Sequence, residues 1–132
     1  MSYLKFEKEE LINLEYSLSR ELIRSNRAGS YAASTIIGCN TRKYHGLLVC
    51  PLEEMDSEHH VLLSTLDATI IQHNKEFNLG IHKYEGDRYV PRGHKYVREF
   101  STTKSSYLVY RVGGVILSRE IILVSKEEQV LV

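Results

Sequence analysis

The sequence predicts an all-β protein, an antiparallel β-sandwich with at most one short helix near the N-terminus. Short runs of β-branched and aromatic residues recur at close spacing with turn signals between them, a pattern typical of sandwiches and barrels. The stretch from Glu9 to Leu18 has rough helical spacing of its apolar residues, but Asn13, Ser17 and Ser19 interrupt it. It therefore predicts a short helix or turn, and strands follow.

The clearest hairpin joins Tyr107–Val112 to Val115–Ser118 through Gly113 and Gly114. A two-residue Gly-Gly loop is typical of a primed turn, in which both central residues take positive φ, because glycine adopts positive φ without Cβ strain. We therefore expect two antiparallel strands joined at this point.

The other predicted strands are short, and one of them is fully apolar. Gly46–Cys50 ends at Pro51 and predicts a buried central strand. Polar segments lie between strands: Glu53–His60 is predicted to be an acidic loop and His73–Glu76 a turn. The remaining predicted strands are Glu21–Arg24, Tyr31–Ile37, Val61–Leu66, Ala68–Gln72, Phe77–Leu79, Tyr96–Thr102 and Glu120–Val124.

Composition limits the class of protein. The chain has 132 residues, one domain's worth, and its 17 basic residues balance its 17 acidic residues. Without net charge it has no field to attract nucleic acid, and no apolar run is long enough to span a membrane. The first ten residues lack a signal-peptide core, so we expect a cytoplasmic protein. Cys39 and Cys50 could pair if strands bring them together, but a reducing compartment favours two buried free thiols.

The C-terminal residues suggest a longer polypeptide. Gln129–Val132 begins another apolar strand, and the chain stops there. Because a domain seldom ends within a strand that nothing ties down, we expect residues 1–132 to be a fragment of a longer chain. A sheet edge left exposed in such a fragment would favour self-association.

The densest group of functional side chains lies between two predicted strands, in a loop bracketed by Gly38 and Gly46. Its amide, hydroxyl, guanidinium, phenol and imidazole groups can hydrogen-bond sugar hydroxyls or stack on sugar faces. The loop contains no carboxylate, whereas glycoside hydrolysis normally requires a pair of them. We therefore predict a substrate-binding or domain-interface role and no catalytic residue. The candidate residues are Asn40, Thr41, Arg42, Tyr44 and His45.

Other patterns favour neither a metal nor a cofactor. His59 and His60 lie near Asp56 and Glu58, but neighbouring side chains on a strand point to opposite faces and seldom share one ion. The acidic residues of this segment are more typical of a solvated loop than of a catalytic pair. No phosphate-binding loop, nucleophile elbow or C-x-x-C sequence is present.

Four segments resemble one known family. Asn40–Val49 reads N-T-R-K-Y-H-G-L-L-V and is similar to the N-T-R-x-Y-H-G-L-L-V signature of archaeal and bacterial glycogen debranching enzymes, the amylo-α-1,6-glucosidases. Ser17–Leu22, Ser25–Thr35 and Val61–Asp67 also resemble segments of that family. The chain departs from the family at three positions. Leu22 stands where the family has tryptophan, and Arg27 and Ser30 stand where the family has glycine.

The resemblance implies a specific place in a larger enzyme. In the family this segment is the first part of a large, many-stranded β-sandwich that packs on a C-terminal (α/α)6 barrel. The barrel carries the two catalytic carboxylates that remove α-1,6-linked glucose at glycogen branch points. The expected partners are therefore an α-glucan and the catalytic domain of the same polypeptide, and the barrel lies outside residues 1–132.

Two other functions stay open from the sequence. A free-standing carbohydrate-binding module would bind maltooligosaccharides by itself, although the chain has no tryptophan to form a sugar-stacking platform. An interaction domain without a ligand would instead use an apolar or self-complementary face. For the loop itself, Arg42 could equally cap a strand end or pair with a carboxylate, Tyr44 could pack its ring, and His45 could hydrogen-bond a backbone carbonyl.

Overall fold

The computed structural model describes residues 4–52, 58–127 and 129–132. These residues form thirteen β-strands, the α-helices α1 (Lys8–Leu11) and α2 (Leu14–Leu18), and a 3-10 helix at Gly93–Tyr96. The all-β prediction is confirmed. The strands are β1 (Leu4–Glu7), β2 (Glu21–Ser25), β3 (Tyr31–Thr35), β4 (Gly46–Leu52), β5 (Glu58–Leu63), β6 (Thr69–Gln72), β7 (Lys75–Asn78), β8 (His82–Tyr84), β9 (Arg88–Val90), β10 (Val97–Thr102), β11 (Ser106–Val112), β12 (Val115–Leu123) and β13 (Val130–Leu131).

The described strands form two main sheets and two separate hairpins, with antiparallel pairing throughout. The five-stranded sheet has the order β1-β10-β11-β12-β13, and the four-stranded sheet has the order β2-β3-β4-β5. Strands β6 and β7 form one hairpin, and β8 and β9 form the other. Because β4 has neighbours on both sides, the predicted central position of that strand is confirmed.

The hydrophobic core contains residues of β10 and β11 from the five-stranded sheet, together with residues of α1 and of the segment that follows β3. Phe6, Phe100 and Leu108 lie opposite one another on three successive strands, and the last two are buried in the core. Arg24 on β2 donates hydrogen bonds to Thr102 Oγ1 and the Thr103 carbonyl, which ties the two sheets together. The buried core residues are Leu11, Ile36, Ile37, Cys39, Ile70, Leu79, Ile81, Val97, Phe100, Leu108, Tyr110 and Val112.

The helical stretch consists of two one-turn helices rather than one helix. Asn13 separates them, and its side-chain Oδ1 accepts a hydrogen bond from the Tyr16 backbone N–H at 3.1 Å. Ser17 Oγ donates to the Leu11 carbonyl at 2.9 Å. Asparagine and serine compete with the helix for backbone groups in this way, which explains why they break the helical pattern here.

The turns of two hairpins, β11–β12 and β6–β7, differ in which residues have positive φ. The Gly113–Gly114 hairpin forms, with Val112 paired to Val115. However, only Gly113 has positive φ, at +58°, so the prediction of two positive values was wrong. A turn with positive φ at its first central residue alone matches type II′. In the β6–β7 turn, His73 and Asn74 both have positive φ, at 53° and 63°.

The predicted boundaries of β12 and β4 differ from the structure. Glu120–Val124 is not a separate strand, because β12 runs unbroken from Val115 to Leu123. Pro51 does not end β4, which continues to Leu52. The ladder with β3 reaches only as far as the Tyr31–Val49 pair, so the missing N–H of proline removes no hydrogen bond from that ladder.

The predicted acidic loop falls only partly on described residues. Glu58, His59 and His60 belong to β5 rather than to a loop, and residues 53–57 lie outside the described part of the chain. At the C-terminus the predicted strand is present as β13, which pairs with Ile122 and Leu123. Within the described residues no helix has the length and apolar character of a membrane span.

Candidate functional site

The Gly38–Gly46 loop leaves β3 and enters β4 through two glycines that serve different purposes. Gly38 has φ of +78°, a conformation that side chains rarely adopt. Thr35 Oγ1 accepts from the Cys39 backbone N–H at 3.0 Å and donates to the Cys39 carbonyl at 2.8 Å. Gly46 instead provides space: a Cβ there would lie 2.8 Å from Val61 Cγ1. The predicted sharp turn is therefore confirmed at Gly38, while Gly46 is required for packing against β5.

His45 organises the loop from its centre. Its side chain is only 5 % exposed. Its Nδ1 accepts the backbone N–H groups of Thr41, at 3.0 Å, and Arg42, at 3.3 Å. An imidazole nitrogen that accepts carries no proton, so the proton of the neutral ring lies on Nε2. That nitrogen is 2.6 Å from Glu21 Oε1, and it donates to the carboxylate.

Glu21 is the point at which the loop meets β2. Its Oε1 accepts from Arg42 Nε at 2.7 Å as well as from His45 Nε2. The Arg42 hydrogen bond is the main cause that lowers the pKa of Glu21 below its ordinary value, against a smaller opposing effect of burial. The same contact raises the pKa of Arg42. The carboxylate therefore stays ionised and holds both side chains in place.

Arg42, Lys43 and Tyr44 form the solvent-facing part of the loop. The Arg42 side chain is 71 % exposed, and Tyr44 is 47 % exposed. Lys43 Nζ lies 5.2 Å from the centre of the Tyr44 ring. Beneath them, the Tyr31 hydroxyl donates to the Tyr44 carbonyl at 3.1 Å, and its ring centroid lies 5.7 Å from that of His59. Burial is the main cause that raises the pKa of Tyr31.

The structure brings together three of the five predicted residues. Arg42, Tyr44 and His45 line an open groove, which we call the loop groove. The other residues that line it are Glu21, Leu22, Ile23, Tyr31 and Ala33.

The other two predicted residues have structural roles. Thr41 contributes its backbone N–H to His45. The Asn40 side chain accepts from Ser34 Oγ at 2.7 Å and donates to the Ser64 carbonyl and hydroxyl at 3.0 and 3.1 Å. Asn40 therefore ties β3 to the segment after β5, and it does not line the loop groove.

Sequence reasoning missed Glu21 and Tyr31. The prediction that Arg42 could pair with a carboxylate is confirmed, but the partner was not identified. Both residues lie in the upstream segments that carry the family resemblance, Ser17–Leu22 and Ser25–Thr35. That resemblance was the one signal that could have pointed to them.

The departures at residues 27 and 30 leave the upstream turn intact. Asn26 Oδ1 accepts from the backbone N–H groups of Ala28, at 3.0 Å, and Ser30, at 2.9 Å. Gly29, which is retained, has φ of +90°. Ser30 is buried, and its hydroxyl donates to Cys50 Sγ at 3.2 Å. The turn therefore needs positive φ at residue 29 alone.

Asn26 also fastens this turn to the end of the chain. Its Nδ2 donates to the carbonyls of Val124 and Glu127, both at 2.9 Å. The backbone N–H of Arg27 donates to the Ser125 carbonyl at 2.7 Å. Every polar atom of the Asn26 side chain is thus used for structure, which distinguishes this turn from the solvent-facing loop groove.

The loop groove suits binding better than acid–base catalysis. Glu21 is the one acidic residue among the described residues that line it, and its lowered pKa is the reverse of what a general acid needs. Within the described part of the chain, no group of three histidine, cysteine, aspartate or glutamate side chains could hold a metal ion. Cys39 and Cys50 are both buried and free, so the predicted state of the thiols is confirmed.

Comparison with protein families agrees with the resemblance in the sequence. The family model described as glycogen debranching enzyme N terminal matches residues 20–132, which include the loop and every residue that lines the loop groove. Comparisons with curated proteins and with solved structures returned no match. Because the family match spans most of the chain, this protein belongs to the glycogen debranching enzyme N-terminal family.

Proposed function

We propose that this chain is the non-catalytic N-terminal domain of a cytoplasmic enzyme of glycogen catabolism. It packs against the catalytic domain of that enzyme, and its Gly38–Gly46 loop helps to hold α-glucan. The observation that carries the proposal is the hydrogen-bonded group of Glu21, Arg42 and His45. This group orders a loop whose outer side chains remain available to a ligand.

The chemistry of the exposed side chains fits a sugar. Arg42 uses Nε for Glu21, and its other N–H donors are available to hydroxyl oxygens. The half-exposed Tyr44 offers a ring face and a hydroxyl, a combination that suits the apolar face and polar rim of a glucose unit. Because Glu21 holds Arg42 in one orientation, less side-chain entropy is lost when a ligand binds.

The same surface has an apolar part that suits a partner domain. Ile23 is 66 % exposed and lines the loop groove together with Tyr44. Leu22 lines the same groove, and a contiguous apolar patch with a polar rim is typical of a surface that another protein covers. We assign this surface to the catalytic domain, so that glucan would lie where the two domains meet.

The decisive experiment uses the debranching enzyme that contains this domain. Replacing Arg42→Ala or Tyr44→Ala should lower the rate of glucose release from a branched limit dextrin about tenfold, the loss expected for one charged or aromatic contact. Lys75→Ala is the control, because it removes an exposed cation of β7 that does not line the loop groove and bonds neither Glu21 nor His45. Unchanged kinetics in both variants, with unchanged melting temperatures, would remove the loop from substrate binding.

Calorimetry on the 132-residue chain distinguishes this proposal from a free-standing carbohydrate-binding module. We expect little heat with maltoheptaose at millimolar concentration, because the catalytic domain would form the other wall of the site. Saturable binding by the chain alone, lost in Arg42→Ala, would favour the module.

Light scattering over a concentration series tests the expected self-association through an exposed sheet edge.

A further inference from the structure

A row of aromatic side chains continues the loop groove across the four-stranded sheet. Its members are Tyr44 of the loop, Tyr31 of β3 and His59 of β5, and we call them the aromatic row. Tyr44 and Tyr31 both line the loop groove, and the ring centroid of Tyr31 lies 5.7 Å from that of His59. His59 does not line the groove, so the row begins inside the loop groove and ends beyond it.

Strand register places Tyr31 and His59 on one face of the sheet. Val49 of β4 pairs with Tyr31, and Pro51 of the same strand pairs with His59. Residues paired directly across antiparallel strands share a face, and so do residues two apart along one strand. Since Val49 and Pro51 are two apart, both rings stand on the same side of β4.

The aromatic row is ordered at one end and accessible at the other. The Tyr31 hydroxyl donates to the Tyr44 carbonyl at 3.1 Å, which fixes the Tyr31 ring against the loop. His59 is exposed, and its imidazole makes no hydrogen bond to any residue that the structure describes. The His59 ring therefore offers a face, a donor and an acceptor to a ligand.

The chemistry of the row favours a sugar. Aromatic faces pack against the C–H groups of a glucose unit, and the phenol and imidazole groups at their edges bond its hydroxyls. The rings of Tyr31 and His59 are inclined to each other by 46°. Successive glucose units of an α-1,4-linked chain are also inclined to each other, because the chain is curved. Inclined rings therefore follow such a chain better than coplanar rings would.

We propose that the aromatic row is a glucose-binding subsite for the part of an α-glucan that extends beyond Arg42 and Tyr44, so that the domain favours long chains over short ones. This inference rests on the proposed function of the loop groove, because the row extends a site that must first hold glucan. A short chain held at Arg42 and Tyr44 ends before it reaches His59. A longer chain places a further glucose unit over the rings of Tyr31 and His59.

Kinetics of the debranching enzyme that contains this domain test the proposal with two substrates. Both carry α-1,6-linked glucose, one on a short branched oligosaccharide and the other on a limit dextrin with long chains. His59→Asn should raise KM for the limit dextrin about fivefold, the loss of one stacking contact, and leave KM for the oligosaccharide unchanged. His59→Phe keeps a ring face and should retain most of the affinity for the limit dextrin.

His73→Asn is the matched control, because His73 is an exposed histidine in the β6–β7 turn. Its φ is positive, at 53°, and asparagine tolerates that conformation. This variant should resemble the parent enzyme with both substrates.

Arg42→Ala separates the two proposals, because it should raise KM for both substrates. If it does and His59→Asn changes neither KM, the aromatic row is overturned while the loop groove remains a glucan site. An equal rise for both substrates in His59→Asn would assign His59 to contact with the catalytic domain and would also overturn the row. If Arg42→Ala changes neither KM, the loop groove proposal fails and the aromatic row fails with it.

Discussion

Two histidine–carboxylate pairs in this protein have nearly the same length but different surroundings. His45 Nε2 lies 2.6 Å from Glu21, and His82 Nε2 lies 2.5 Å from Asp67. The His45 side chain is 5 % exposed and also accepts two backbone N–H groups. The His82 side chain is 29 % exposed and its Asp67 partner 47 %. Distance alone therefore does not show which pair organises structure.

The difference lies in what each histidine satisfies. His45 closes the Gly38–Gly46 loop on itself and fastens it to β2, so its loss would leave two partly buried backbone N–H groups without their acceptor. His82, at the start of β8, bonds Asp67, which lies just before β6. An exposed pair of this kind competes with water and contributes little, whereas a buried donor without a partner carries a substantial cost.

The largest predicted effect is a loss of stability when His45 is removed. His45→Ala should lower the free energy of unfolding by about 2–3 kcal/mol, because it removes an acceptor from two backbone N–H groups and a donor from Glu21. His82→Ala is the matched variant, and it should cost less than about 1 kcal/mol. Urea denaturation of both proteins measures the two values. Equal losses would show that burial does not distinguish the pairs.

A smaller predicted effect concerns how the stability contributed by Glu21 depends on pH. The pKa of Glu21 is lowered in the folded protein, from an unfolded value near 4.5. A lowered folded pKa contributes stability that is fully present above the unfolded value and is lost as pH falls through the folded value. Glu21→Gln should therefore reduce stability by about 1 kcal/mol at neutral pH and by progressively less in acid.

Urea midpoints of Glu21→Gln and the parent protein, compared between about pH 6 and pH 3, measure this convergence. Glu76→Gln provides the control, because Glu76 is an exposed carboxylate on β7 that forms none of the described ion pairs. A constant difference between Glu21→Gln and the parent across that range would contradict the role of the ionised carboxylate.

The smallest predicted effect concerns the support beneath the loop. Tyr31→Phe removes the hydroxyl that donates to the Tyr44 carbonyl, and it should cost about 0.5–1 kcal/mol. The control is Tyr84→Phe, because Tyr84 is 49 % exposed on β8. Thermal unfolding of the two variants measures the difference. A loss in Tyr31→Phe no greater than in the control would show that this hydrogen bond does not support the loop.

Local sequence predicted much of the fold. Alternation of apolar residues and paired glycines located the β11–β12 hairpin, and the apolar run after Gly46 predicted the central strand β4. Turn details were less accessible: Gly113 alone takes positive φ, while His73 and Asn74 take the conformation expected of glycines. Pairing with neighbouring strands decides such φ values, and composition alone does not reveal them.

At the candidate site, the polar groups of the Gly38–Gly46 loop and its lack of a carboxylate could be read from the residues alone. The folded chain adds that Glu21 supplies a carboxylate and that Asn40 bonds Ser64 rather than lining the loop groove. The physical reason is that side-chain chemistry is local, whereas hydrogen-bond partners depend on strand register and sheet packing, which bring distant residues together.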